Sequence, residues 1–332
     1  MRRLWPPLLA LALARALSAG AALWSGANPL HGDAWVRWDS NLYLSIAQRG
    51  YFLEHCAPGS HYQAFEWCGN AGWFPLYAWL LKLGSGALLS LVFEAALLVV
   101  VWRFLLEERG LAALLLAAVF PGNIYQQAVF PVSLFLLCSV AFLALCERQR
   151  WLPAAGLGAL AAMSYPTGFL LAPLALLRRN LWPAVGVAVG FLLVLAVMRA
   201  QTGHWNAWFL TQEKYGFHFA PFDTLFSRLK PLVNARYRTG VSFAAGAQTL
   251  LVLTLMALGA FQFRARPLVA AYCLAYWAFP LCVGGHISLH RAEALLVPVV
   301  ALLPERARLP LLAAAVPVSL AISVAFFRGA LV

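Results

Sequence analysis

Apolar residues in this chain come in long runs, and the polar residues are confined to the gaps between them. The runs fall near 4–24, 84–103, 111–122, 131–146, 151–164, 166–178, 181–200, 241–262, 267–284, 289–304 and 309–327. A bilayer is the solvent that suits them, so each predicts a membrane helix. The chain reads as an all-α polytopic membrane protein with about eleven passes. Several runs are shorter than the ~20 residues a straight crossing needs. The third to sixth passes read as two hairpins of short or broken helices, interrupted at "FPGNIYQQAVFP" (120–131) and "SYPTG" (164–168). Such breaks persist in a membrane only where protein or a wet cavity covers them. Met1–Trp24 has the basic start and small-residue end of a signal peptide. Because the rest of the chain is also membrane-embedded, a first membrane helix is the better reading.

Composition excludes a soluble globular protein. The 332 residues are 63% hydrophobic and 11% charged, against about a quarter charged in soluble domains. A net charge of +12 would suit nucleic acid, but the cations sit in the gaps between apolar runs, where they set orientation. With a cytoplasmic N-terminus, the gaps on that side hold Arg2 and Arg3, Arg103 and Arg109, Arg148 and Arg150, Arg178 and Arg179, Arg264 and Arg266, and Arg306 and Arg308. The opposite side then carries two long segments, 25–83 and 201–240. They contain six of the twelve acids, namely Asp33, Asp39, Glu54, Glu66, Glu213 and Asp223. Any chemistry is therefore expected on the non-cytoplasmic face. The chain is read as one membrane domain. It comprises a first helix (1–24), an outer loop (25–83), a helical block (84–200), a second outer loop (201–240) and C-terminal helices (241–332). Ala- and Arg-rich usage suggests a bacterial genome and hence a plasma membrane.

One outer stretch concentrates the candidate chemistry. "RWDSNLYLSIAQRGY" (37–51) reads as a helix lying at the membrane surface. On a wheel of 100° per residue with Trp35 at zero, Trp38, Leu42, Tyr43 and Ile46 fall within about 80°, and Asp39 falls inside that arc. An acid on an apolar face is costly unless it is paired or lines a cavity. Asp39 is thus either a carboxylate bonded to a neighbouring helix end or Arg, or a working group. Asp33, just ahead of the helix, suits an N-cap and is also placed to help bind an acceptor.

This stretch, followed by "GWFPLYAWLLKL" (72–83), resembles the PIG-V family of GT-C-type membrane mannosyltransferases. The match is carried by Trp38, Asp39, Tyr43, Ile46, Ala47, Gly50, Tyr51, Phe74, Pro75, Leu76 and Tyr77. The chain departs from the pattern at Trp73 and Ala78. Weaker echoes follow in "FPGNIYQQAVFPVSLFLL", "YPTGFLLAPLALL", "FLTQEKYGFHFAP" and "ISLHRAEALLVP". There Pro131-Val132 stands where the family has Thr/Ser-Glu, Tyr165 stands near its usual Arg, and Ala292 replaces its Tyr. The resemblance implies a GT-C fold with interfacial helices in the first outer loop. It also implies an inverting enzyme that takes a sugar, mannose first, from a polyprenyl-phosphate donor to a lipid, glycan or protein acceptor.

That chemistry needs a carboxylate to deprotonate the attacking hydroxyl and cationic donors for the leaving phosphate. Asp39 is the expected base. Arg291 is the first choice for the phosphate, since Arg binds its oxygens bidentately, and His290, Lys214 and Gln212 are secondary choices. Asp33, Tyr43, Tyr77 and His286 are expected around the substrate. No Cys-x-x-Cys, His-Glu-x-x-His or glycine-rich phosphate loop is present. Neither a cofactor nor a metal is expected, although His31, Asp33 and Asp39 could together hold a divalent ion. The expected partners are the lipid-linked donor and membrane lipids, with no nucleic acid. Cys56 and Cys68 share the first outer loop, and an oxidising exterior predicts a disulfide between them, worth roughly 3 kcal/mol by chain entropy. Cys138, Cys146, Cys273 and Cys282 fall in or beside passes and are expected to stay free. Three other readings compete: the same fold with another lipid-linked sugar, a membrane transporter, and an inactive scaffold.

Overall fold

The structure is a computed structural model and describes residues 4–57, 63, 65–107, 110–283 and 288–331. The expectations for Arg2, Arg3, Arg109 and His286 lie outside the described residues. The chain is almost wholly helical. The N-terminal part contains α1 (Trp5–Trp24), α2 (Ser40–Arg49), a two-stranded ribbon of β1 (Leu53–His55) and β2 (Trp67–Gly69), α3 (Pro75–Leu81) and α4 (Gly86–Val100). α4 runs on through a π turn, Val101–Leu105. The middle block is α5 (Leu111–Ala118), α6 (Ile124–Gln127), α7 (Val132–Glu147), α8 (Trp151–Ser164), α9 (Leu171–Leu176) and α10 (Trp182–Thr202). The remainder is α11 (Ala207–Glu213), α12 (Pro221–Val233), α13 (Gly240–Gly259), α14 (Pro267–Cys282), α15 (Leu289–Glu293) and α16 (Glu305–Phe327).

Local chemistry explains where many of these helices begin and end. Proline sits in the first turn of α1, α3, α10, α12 and α14, where its missing N–H costs nothing and its φ is already helical. Thr239 and Ser242 form a reciprocal capping box at the start of α13. Gly50 and Gly203 end α2 and α10 at φ values of 78° and 83°, which glycine adopts without strain.

Among the described residues, five helical stretches are long and apolar enough to cross a membrane: Trp5–Trp24, Gly86–Leu105, Trp182–Thr202, Gly240–Gln262 and Glu305–Phe327. Shorter apolar helices, such as α7 and α8, pack among them. The expected break at 120–131 is real, and each of its residues is buried. Its loose backbone is met from within the protein. Ser319 Oγ of α16 donates to the Val119 carbonyl at 2.6 Å, and Ser90 Oγ of α4 donates to the Ala128 carbonyl at 2.6 Å. At the second break, the Tyr276 hydroxyl donates to the Thr167 carbonyl at 2.9 Å. This is the internal cover that a non-helical segment at membrane depth requires.

The closest helix packing joins α8 to α10. Gly186 and Gly190 of α10 lie on Ala155 and Ala159 of α8, and a Cβ on Gly190 would stand only 2.7 Å from the Ala159 Cα. Small residues four apart let two backbones approach without side chains between them, a common device in membrane helices.

α16 separates two polar ends of the bundle. Its 23 residues span about 34 Å. Near its start, Arg266 holds the Leu105 carbonyl and pairs with Glu107 at 3.4 Å, beside Glu305 and Arg308. Near its end, Phe326 and Phe327 pack against Trp38 and Trp35 of the 25–83 segment, with ring centroids 5.3 Å apart in both contacts. Basic gaps and candidate site therefore occupy opposite ends of one helix.

Candidate active site

The helix carrying the family-like motif is shorter than its periodicity predicts. It runs from Ser40 to Arg49, and Trp35 belongs to a separate 3-10 turn, Gly32–Trp35. The wheel that placed Asp39 among Trp35 and Trp38 therefore does not apply. Between turn and helix, Trp38 adopts a left-handed conformation with φ of 42°. A bulky residue pays for that conformation in strain. It is held by its neighbours: Ser40 Oγ accepts the Arg37 N–H at 3.1 Å, and the Trp38 ring packs edge-on to Phe326. Asp39 takes the N-cap position, yet its side chain caps nothing. Asp33, expected as the cap, lies exposed inside the 3-10 turn, six residues before the N-cap that Asp39 occupies; Arg37 Nη1 donates to its carbonyl at 3.2 Å.

Freed from capping, the Asp39 carboxylate reaches across the fold. Its Oδ2 forms an ion pair and hydrogen bond with Arg291 Nη1 of α15, a residue 252 positions later. The two side chains remain 23% and 18% exposed, so the pair is open to an incoming group. Arg291 is fixed by a second bond, Nη2 to Ser288 Oγ at 2.6 Å, and its guanidinium lies 5.6 Å from the centre of the Phe130 ring. The Tyr125 and Tyr165 phenols both lie within electrostatic reach of the pair. Each comes from one of the two covered breaks.

The remaining expected residues lie around this centre rather than in it. Tyr43 is buried beneath α2, within electrostatic reach of Asp39, and stands edge-on to Tyr77 at 5.7 Å. Tyr77 is turned to α4 and shares its hydroxyl with Ser90 Oγ at 2.9 Å. His290 is buried and stacks obliquely near Tyr125 at 5.5 Å. Gln212 of α11 lies against Gly72, where a Cβ would come within 2.9 Å of its Nε2. Lys214 follows α11, half-buried within reach of Glu66. Burial pushes its ammonium below the ordinary lysine range, and Glu66 opposes that shift. The structure thus brings Arg291 to Asp39, sets Gln212 against Gly72 and leaves Lys214 within electrostatic reach of Glu66. Among the described residues no group of three or more His, Cys, Asp or Glu is placed to hold a metal ion, and His31 with Asp33 and Asp39 forms no such group.

A compact scaffold built on the two-stranded ribbon holds α2 in place. β1 and β2 pair antiparallel, with Glu54 opposite Cys68, and Cys68 is joined to Cys56 by a disulfide with Cα atoms 4.9 Å apart. Asn70, fully buried, donates to the Gly50 carbonyl at 2.9 Å and to Ser45 Oγ at 3.1 Å, while its own carbonyl accepts the Phe52 N–H at 3.0 Å. Gln201, at the end of α10, accepts the Tyr51 N–H at 2.6 Å. The four other cysteines are free.

Sequence reasoning passed over three residues that this geometry makes prominent. Tyr125 and Tyr165 were visible as aromatic residues placed at breaks in apolar runs. Ser288 stands at the Ser of the Ser-x-x-Arg spacing in "ISLHRAEALLVP", a part of that echo that was not singled out. Comparison with models of known families and with curated proteins returns no match.

Proposed function

We propose that the chain is an integral membrane glycosyltransferase that inverts the anomeric centre of a sugar carried on polyprenyl phosphate, with mannose the first candidate. The observation that carries this reading is the half-open Asp39–Arg291 pair, assembled from the family-like motif and a distant short helix. In the reaction, the acceptor hydroxyl gives its proton to the Asp39 carboxylate as its oxygen attacks the anomeric carbon. The bond from that carbon to the phosphate oxygen breaks on the opposite face, and the departing phosphate monoester keeps the electron pair. Arg291 meets the charge that develops there with its planar donors. The left-handed Trp38 sets where Asp39 begins α2, and Ser288 holds the Arg291 guanidinium. A groove between helices holds the lipid tail in this reading, and the basic residues at the far end of α16 support a site on the non-cytoplasmic face.

The test is transfer by purified protein in nanodiscs, supplied with radiolabelled polyprenyl-phosphate mannose and, in parallel, the glucose analogue. Transfer that depends on Asp39 supports the reading. Full turnover by Asp39→Asn, or no turnover with either donor across lipid and glycan acceptors, sinks it.

A second reading, a transporter, draws on Glu94. This acid lies midway along the Gly86–Leu105 span and is 1% exposed, paired with Arg15 of α1. Intramembrane charges often mark ion or substrate paths. Glu94→Gln separates the two readings, since a transporter would lose flux while a transferase would keep its chemistry.

A further inference from the structure

The short helix that carries Arg291 has a second polar side that the reaction above leaves idle. α15 also bears His290 and Glu293, each 2% exposed. Facing them from α13 are Gln248 and Thr249, buried to the same degree. Gln248 Nε2 donates to the His290 carbonyl at 2.6 Å, which fixes the orientation of the amide. Glu293 lies against Thr249 and Gln248, and the Arg228 guanidinium of α12 is within electrostatic reach of both Glu293 and His290. Gly122 lines the cluster in a left-handed conformation. A Cβ there would come within 2.9 Å of the His290 carbonyl and 3.3 Å of Gln248 Nε2.

Among the described residues, four side-chain atoms in this cluster lack a partner of ordinary hydrogen-bond geometry, namely Glu293 Oε2, Gln248 Oε1, Thr249 Oγ1 and His290 Nδ1, although Thr249 and Gln248 stand within hydrogen-bonding reach of the Glu293 carboxylate. Native proteins leave few such atoms buried, and a group of them calls for an explanation such as a ligand or ordered water. Their chemistry narrows the ligand. The carboxylate and amide oxygens accept, whereas the hydroxyl and the ring nitrogen can each donate or accept. A phosphate offers mainly acceptors; it would suit the Arg228 guanidinium but leave the two oxygens unmet. A sugar offers neighbouring hydroxyls, each with one proton to give and lone pairs to receive one.

We propose that this cluster is the subsite for the hydroxyls of the transferred sugar. Glu293 and Gln248 accept from two of them, and Thr249 and His290 complete the set. The proposal rests on the transferase reading and adds the determinant of sugar identity. Arg291 then serves the phosphate, while its neighbours on the same short helix serve the sugar that phosphate carries.

The experiment measures equilibrium binding to protein in nanodiscs of polyprenyl-phosphate mannose, polyprenyl-phosphate glucose and polyprenyl phosphate without sugar. Wild type is expected to bind at least one sugar-bearing lipid about tenfold or more tighter than the bare lipid, because a site built for hydroxyls discriminates against a ligand that lacks them. Thr249→Val and Glu293→Gln should each remove most of that advantage while leaving affinity for the bare lipid unchanged. Variants that keep the advantage overturn the subsite and leave the transferase reading standing. Wild type that binds none of the three lipids overturns both. A donor complex with water on the four atoms and the sugar elsewhere overturns the subsite alone. If Glu293→Gln fails to fold, Thr249→Val decides, since it keeps the shape and removes only the hydroxyl.

Discussion

Two arginine–carboxylate pairs in this fold, Arg15–Glu94 and Asp39–Arg291, are built to opposite specifications. In the first, Glu94 is 1% exposed and both of its oxygens are engaged: Arg15 Nε reaches Oε2 at 2.8 Å and Gln127 Nε2 reaches Oε1 at 3.0 Å. Arg15 also lies 5.6 Å from the Trp35 ring centre. In the second, Asp39 and Arg291 are about one-fifth exposed, and Asp39 follows a residue held in a strained backbone conformation. The first pair ties α1 and α4 to the buried break at 120–131. The second keeps charge available at a surface. A buried carboxylate whose hydrogen bonds are complete serves structure, whereas one left open beside a cation can receive a ligand.

That contrast can be broken by substitution. The largest effect is expected from Arg15→Leu, which strands Glu94 as an unpaired charge and should cost about 3–5 kcal/mol of stability. Thermal unfolding in nanodiscs reads this. The double variant Arg15→Leu with Glu94→Leu should recover most of the loss, as apolar replacements of buried pairs often do; no recovery would argue that Glu94 has a further role. Asp39→Asn should instead reduce transfer by at least ~100-fold and shift stability by about 1 kcal/mol or less, as for other partly exposed pairs. A comparable loss of folding in this variant would erase the distinction between the pairs.

Smaller effects sharpen the contrast. Cys68→Ser opens a short ring and should cost roughly 2–3 kcal/mol of local stability. It should be felt as faster hydrogen exchange in α2 and not in α4. Exchange that rises equally in both helices would mean that the outer scaffold does not act on Asp39 specifically. Gly50→Ala should cost about 1 kcal/mol or somewhat more. Its Cβ must take a left-handed position and would stand 2.6 Å from Gln201 Oε1. Unfolding midpoints measure it, and an unchanged midpoint would remove the Gln201 clamp from the account.

Much of the bundle was legible because membrane solvation writes itself into composition. Runs of Leu, Val and Ala mark α4, α10, α13 and α16 without any knowledge of their neighbours. The breaks at 120–131 and 164–168 were legible for a related reason, since Pro, Gly, Asn and Gln interrupt those runs. The start of α2 was not. Periodicity sees Trp35, Trp38 and Asp39 on one helical face, but Trp38 is left-handed, and no wheel registers a reversal of φ at a single residue. The choice of Arg291 followed from the phosphate chemistry that the resemblance implies. That it meets Asp39 depends on α15 being brought to α2 through the whole fold, a contact between positions 252 apart. The polar side of α15 was hidden further, because His290 and Glu293 lie far in sequence from Gln248 and Thr249 and become a cluster only when α13 and α15 meet.

The buried break also constrains the order in which the molecule is made. The carbonyl of Val119 is taken by Ser319, which lies 200 residues further along the chain. Until the ribosome has delivered α16, the α5–α7 region has no such donor and cannot rest in lipid on its own. The break is therefore fully covered only once the last helix packs against it. A chain truncated before Ser319 would emerge with its interior open and its central helices exposed to quality control.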